Sequence, residues 1–145
     1  MSAPGSLSTN VIYLCGELSH IFHRALTSGF AAKGIRVTVE QFSVLALLFY
    51  QDGINQQEIS VRLNRSKTTI TRVMSNMERN RMIVRVPDKK DMRGKLIFLT
   101  KKGKALQGRA IELSGALYMK AIGGLQERDL AQSVRLLNRI IRNVN

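Results

Sequence analysis

Lys89, Lys90, Arg93 and Lys95 stand with Asp88 and Asp91 in the stretch DKKDMRGK, six charged side chains in eight positions. Cations at this density suit one kind of contact above others, the charge-assisted hydrogen bond to phosphate oxygens. An arginine in such a loop also suits a narrow, electronegative groove. Asp91 lies two residues before Arg93, where its carboxylate could hold the guanidinium in one pose and so orient the contact. A second set of hydrogen-bonding groups lies upstream in SKTTITRVMS: Ser66, Lys67, Thr68, Thr69, Thr71, Arg72 and Ser75. Threonine can touch phosphates and thymine methyls, and arginine reads guanine edges in a major groove. Catalysis finds no comparable set, since the chain has neither a Ser-His-Asp pattern nor a glycine-rich phosphate loop.

The elements that must carry these groups follow from periodicity. Val11, Leu14, Cys15, Leu18, Ile21, Phe22, Ala25 and Leu26 recur at helical spacing and predict a helix over about 10–32. Thr38 with Gln41 three residues on is a capping box that opens a second helix, running to about Tyr50. Asn55 with Glu58 repeats the signature for a short helix to Leu63. Ser66 then caps a helix to about Arg79, in which Ile70, Val73, Met74 and Met77 form one apolar stripe. Two short helices joined by NRS make a helix-turn-helix. Thr68, Arg72, Ser75 and Arg79 fall opposite the stripe, with Thr69, Thr71 and Asn76 on its flanks. The run TTIT loses rotamer freedom in a helix, so stability alone does not explain it; an ordinary amphipathic surface helix is the competing reading. The strands MIVRVP and KLIFLT enclose the charged loop as a hairpin, with Gly94 expected to permit the turn. Such a loop could also serve only to discourage edge pairing. Thr100 caps a fifth helix to about Ile122, and a sixth follows from about Gln126 to Arg142.

Charge narrows the partner. The formal net charge is +13, and the segment from Arg62 to Lys104 holds fourteen Lys or Arg against Glu78, Asp88 and Asp91, so +11 of it lies there. That concentration is the footprint of a face that binds a polyanion, with a solvated basic surface as the alternative. A membrane surface would call for a basic amphipathic helix with bulky aromatics, and the segment has one aromatic residue, Phe98. No apolar run approaches the ~20 residues of a membrane span. The N-terminus lacks the pattern of a secretory signal, and a single cysteine suits a reducing cytoplasm, so a cytoplasmic location is expected.

The stretches TVEQFSVLALL, NQQEISVRLNRSKTTITRVMSNMERNRMIVR and DKKDMRGKLIFLTKKG resemble the multiple-antibiotic-resistance regulator (MarR) family of winged-helix transcription factors. The D-x-R arrangement of Asp91 and Arg93 before LIFLTKKG is the most specific piece. The resemblance implies a mainly α fold with a small β-hairpin wing. It puts Arg93 in the minor groove and Lys67, Thr69, Thr71 and Arg72 on the recognition helix against the major groove. At Gly94 many relatives carry a second arginine, so the wing contact is expected to be reshaped.

The outer helices need partners. Leu130, Val134, Leu137, Ile141 and Val144 alternate in steps of four and three, a seam suited to another helix. Leu113 and Leu117 continue such a rhythm in the fifth helix, and Val11, Leu14 and Leu18 form a stripe on the first. A two-fold homodimer, or alternatively an intramolecular three-helix core, would bury them. The expected organisation is a dimerisation helix in 1–35, a winged helix-turn-helix in 36–100 and dimerisation helices in 101–145, within one compact domain.

Double-stranded DNA and a second copy of the chain are therefore the expected partners, with a small-molecule effector implied by the resemblance. No cofactor or metal is expected. His20 and His23 lie three apart on the first helix, and some relatives sense zinc with histidines. Peroxide-sensing relatives carry a cysteine near Cys15 supported by tyrosines, but Val39 stands where one of them would be. Among apolar neighbours the Cys15 thiol suits packing better than oxidant sensing. Phe22, Phe30, Phe42 and Tyr50 could line an effector cleft or simply fill the core. Two competing functions stay open: a nucleoid-type or RNA-binding protein using the basic face non-specifically, and a redox or zinc sensor.

Overall fold

A computed structural model describes residues 5–145. After a short 3-10 turn at Leu7–Thr9, the chain forms α1 (Val11–Ala32), α2 (Val39–Tyr50), β1 (Ile54–Asn55), α3 (Gln56–Arg62), α4 (Lys67–Arg79), β2 (Ile83–Pro87), β3 (Lys95–Leu99), α5 (Lys101–Ala121) and α6 (Glu127–Val144). The mainly α fold with a hairpin wing is as expected, with one addition. β1 joins the hairpin, so the sheet is three-stranded in the order β1-β3-β2, antiparallel throughout. Ile54 pairs with Ile97 and Asn55 with Leu96, while Arg85 pairs with Ile97 from the other side.

Local chemistry sets the helix boundaries. Thr38 accepts from the Gln41 amide at 3.1 Å, and the Gln41 side chain accepts from the Thr38 amide at 3.0 Å, the reciprocal box that satisfies two orphan donors. Asn55 caps α3 differently from expectation. Its side chain accepts from Gln57, and Glu58 instead pairs with Arg62 one turn on. Three helices end in the same way, with a left-handed residue that turns the chain back on the last turn. At α1 this residue is Gly34, with Ile35 bonding the Phe30 carbonyl; at α3 it is Asn64, with Arg65 bonding Ser60; at α4 it is Arg81, with Met82 bonding Met77. The flanking pairs Phe30–Ile35 and Met77–Met82 are buried, the apolar contact that usually accompanies this ending.

The chain divides into two compact units, one ending at Ser114 and the other comprising Gly115–Asn145, so the division falls within α5. In the first unit, the core is built from Leu26 and Phe30 of α1, Val44, Leu45 and Leu48 of α2, Ile59 of α3, the α4 stripe, and Ile83, Ile97 and Leu99 of the sheet. Ala110 and the buried Gln107 bring α5 into it, and Gln107 donates to the Leu45 carbonyl at 2.6 Å. In the second unit, α6 has no buried residue along its length. No helix among the described residues is long and apolar enough to cross a membrane.

Candidate nucleic-acid interface

α3 and α4 are held at a fixed angle by the residues between them. Asn64 adopts φ 49°, a conformation that asparagine tolerates better than most residues. Ser60 fastens the turn from below by donating its hydroxyl to the Arg65 carbonyl at 2.6 Å. Ser66 starts α4 by accepting from the Thr69 amide. The stripe Ile70, Val73, Met74 and Met77 is buried, which turns Thr68, Thr71, Arg72 and Ser75 outward, and Lys67 is likewise exposed at the first turn. Thr69 differs: it is half-buried and faces a smaller cleft with His23, Val39, Glu40 and Arg65.

The wing is an organised loop. Asp88 donates its amide to the Gly94 carbonyl, Gly94 donates to the Asp91 carbonyl, and the Asp88 carboxylate accepts from the Lys90 amide. Asp91 accepts from the backbone amide of Arg93 at 3.1 Å, and no ion pair joins it to the Arg93 guanidinium. The expectation that Asp91 pins the guanidinium is thus corrected: it shapes the turn, and the Arg93 side chain projects from a fixed backbone. Gly94 meets a close neighbour and not a left-handed turn. Its φ lies outside the left-handed region, but a β-carbon there would come 2.5 Å from Asn55 Nδ2. An arginine at that position would require the Asn55 side-chain amide to move aside.

A cleft of about 450 Å³ joins the two predicted sets of residues. Lys67 and Thr71 of α4, Arg93 and Lys95 of the wing, Asp91, and Gln56 at the start of α3 line it. Thr68, Arg72, Ser75, Lys89 and Lys90 are exposed outside that lining. Arg85 lines the cleft too, although its place in an alternating strand does not by itself single it out. Its side chain is 13% exposed; it donates to Ser75 Oγ at 2.8 Å and sits 3.1 Å from Glu78 Oε2. Its Nε is buried without an aligned hydrogen bond. Arg85 therefore ties β2 to α4. Gln56 performs a similar task for one side chain, donating to Thr71 Oγ1 at 3.2 Å.

The other predicted residues lie apart from this cleft. Val11, Leu14 and Leu18 are exposed on α1, and Val134, Leu137 and Ile141 on α6; Leu117 and Leu130 are half-buried. Leu113 is half-buried and packs where α1 passes closely, so near that a β-carbon on Gly29 would lie 2.9 Å from its Cδ2. Cys15 is half-buried with a free thiol, and His20 and His23 are exposed.

Residues 37–95 match the MarR family model. The chain is 32% identical to the HTH-type transcriptional regulator TtmR of Methylorubrum extorquens over 106 residues, 73% of this chain and 53% of TtmR. It thus spans about half the length of that relative. The transcriptional activatory protein BadR of Rhodopseudomonas palustris is 24% identical over 142 residues, covering 95% of this chain and 80% of BadR. Among solved structures, the transcriptional repressor CouR bound to a 23-mer DNA duplex is 25% identical, with a TM-score of 0.78 over 98% of this chain and 99% of CouR. Residues 37–95 thus carry the MarR-family pattern, on a fold shared with the repressor CouR.

Proposed function

We propose that the chain is a sequence-specific double-stranded-DNA-binding repressor, acting as a homodimer on a pseudo-palindromic operator and tuned by a small-molecule effector. The cleft that unites Lys67 and Thr71 with Arg93 and Lys95 carries this reading, because it joins a major-groove helix to a minor-groove wing. Ser66, Lys67, Thr68, Thr69, Thr71, Arg72 and Ser75 supply the recognition helix, and Lys89, Lys90, Arg93 and Lys95 the wing. CouR, named as a repressor and solved on a duplex, supports the same partner.

In this reading residues 36–100 read DNA, while 1–35 and 101–145 hold the dimer. The exposed apolar residues of α1 and α6 support a second copy as their cover. Two-fold symmetry then predicts half-sites about one helical turn, ~10 bp, apart. An effector acts by favouring one spacing of the two recognition helices.

The +11 segment favours a second reading, non-specific coating of nucleic acid. Selection from random duplex DNA, followed by titration of the winner against scrambled DNA in a salt series, separates the two. A two-fold-symmetric winner bound ~10³-fold or more above scrambled DNA supports the operator-binding regulator. Equal affinities that fall steeply with salt would replace it with a coating protein.

A further inference from the structure

Glu40 is an acid beside a basic face, where its charge opposes an approaching phosphate. It stands in the first turn of α2, where a carboxylate suits the helix dipole, and it is about half exposed. Its Oε2 accepts from the Arg72 guanidinium at 3.1 Å, joining α2 to the outer face of the recognition helix. The next residue repeats the connection. Gln41, 6% exposed, donates its side-chain amide to Asn76 at 2.7 Å. Arg72 and Asn76 are one turn apart on α4 and therefore share a flank, so the first turn of α2 is fastened to that flank at two adjacent residues.

The consequences for Arg72 differ from those for Asn76. Arg72 remains 67% exposed while paired, and a guanidinium has five N–H donors. One edge is held and the others stay free. An arginine held in this way meets a base edge with its direction already set, whereas an unheld one can turn to the nearest phosphate. The same carboxylate raises the electrostatic cost of bringing any DNA to this face.

We infer that Glu40 is a specificity-determining positioning residue: it holds Arg72 for a base edge and weakens attraction to DNA of the wrong sequence. The inference rests on the proposal that α4 enters the major groove. Glu40 thereby trades overall affinity for discrimination.

The test compares Glu40→Ala, Glu40→Gln, Arg72→Ala and the double variant Glu40→Ala/Arg72→Ala, using the selected duplex and a scrambled one in a salt series. Glu58→Ala, which removes a carboxylate paired with Arg62, controls for net charge. Glu40→Ala should bind scrambled DNA several-fold more tightly and cut the selected-to-scrambled ratio tenfold or more. Its salt dependence on scrambled DNA should steepen by about one in log–log slope, as Arg72 moves to a phosphate. Neither change should occur in the Arg72→Ala background. Loss of the ratio in Arg72→Ala with an unchanged ratio in Glu40→Ala would overturn the inference alone. Equal effects of Glu40→Ala and Glu58→Ala would also overturn it, reducing Glu40 to net charge. No selected site for the parent protein would overturn this inference and the operator reading together.

Discussion

Gly103, in the first turn of α5, lies against the Met82 carbonyl so closely that a β-carbon on it would overlap the oxygen. Thr100 fastens the same junction, donating to the Arg81 carbonyl at 2.6 Å and accepting from the Gly103 amide at 3.0 Å. The obstructing atom is backbone and cannot rotate away. Gly103→Ala should therefore destabilise the protein by at least ~1–3 kcal/mol, the usual cost of overpacking. Gly108 in the same helix has nothing within 4 Å of a β-carbon position. Gly108→Ala should stabilise by about 0.5–1 kcal/mol through helix propensity. Urea unfolding of both variants checks the contrast, and a similar cost for each would refute the close approach.

The Gln56–Thr71 contact predicts the polarity of one reading group. A hydroxyl that accepts from the Gln56 amide keeps its own proton for a DNA acceptor. Gln56→Glu replaces the donor with an acceptor, so Thr71 must turn its proton inward. Repeating the selection with this variant should change the preferred base pair at one position per half-site, by ~1–3 kcal/mol in discrimination. The identical winner would show that Thr71 reads no base.

At the wing, Asp91→Asn and Asp91→Ala should separate. Asparagine keeps an oxygen to accept from the Arg93 amide, so affinity for the selected site should hold. Alanine releases the turn and should cost about 0.5–1.5 kcal/mol, the net worth of one hydrogen bond. Arg93→Ala should cost about 1–3 kcal/mol on the same site. An asparagine variant as weak as the alanine one would restore the carboxylate charge as the important property.

The α6 seam predicts the oligomeric state. Leu137→Asp puts a charge among Leu130, Val134 and Ile141, and sedimentation equilibrium should then find a monomer with its helical content intact. Affinity for a full operator should fall ~10²-fold or more, since each half-site would be bound without the other. A dimer unaffected by the change would move the interface elsewhere.

What could be read from the sequence was mostly local. The Thr38–Gln41 box, the Ser66 cap and the Ile70–Val73–Met74–Met77 stripe depend on neighbours within two turns, and each is present as expected. The hairpin was legible because alternation and a charged loop are both short-range signals. β1 was not: two residues carry no periodicity, and Ile54 becomes a strand only by pairing with Ile97, far along the chain. Arg85 and Glu40 were hidden for a similar reason. Their partners Ser75, Glu78 and Arg72 are set by how strands and helices pack, which spacing alone cannot encode. For Asp91, spacing suggests a contact with the Arg93 guanidinium, and only the turn itself shows that its carboxylate accepts from the Arg93 backbone amide instead.

β3 is held along both edges. Besides β2, it receives β1, the Gly53 amide at the Ile97 carbonyl, and the Asp52 carboxylate at the Leu99 amide. Arg85 adds a fastening from β2 to α4. The base of the wing is thus fastened to both the sheet and α4, and the lobe is expected to act as a stiff template. A duplex whose two grooves do not match that template must deform to fit, at an energy set by its own stacking steps. Base pairs that no side chain touches then count in recognition, through how easily they bend.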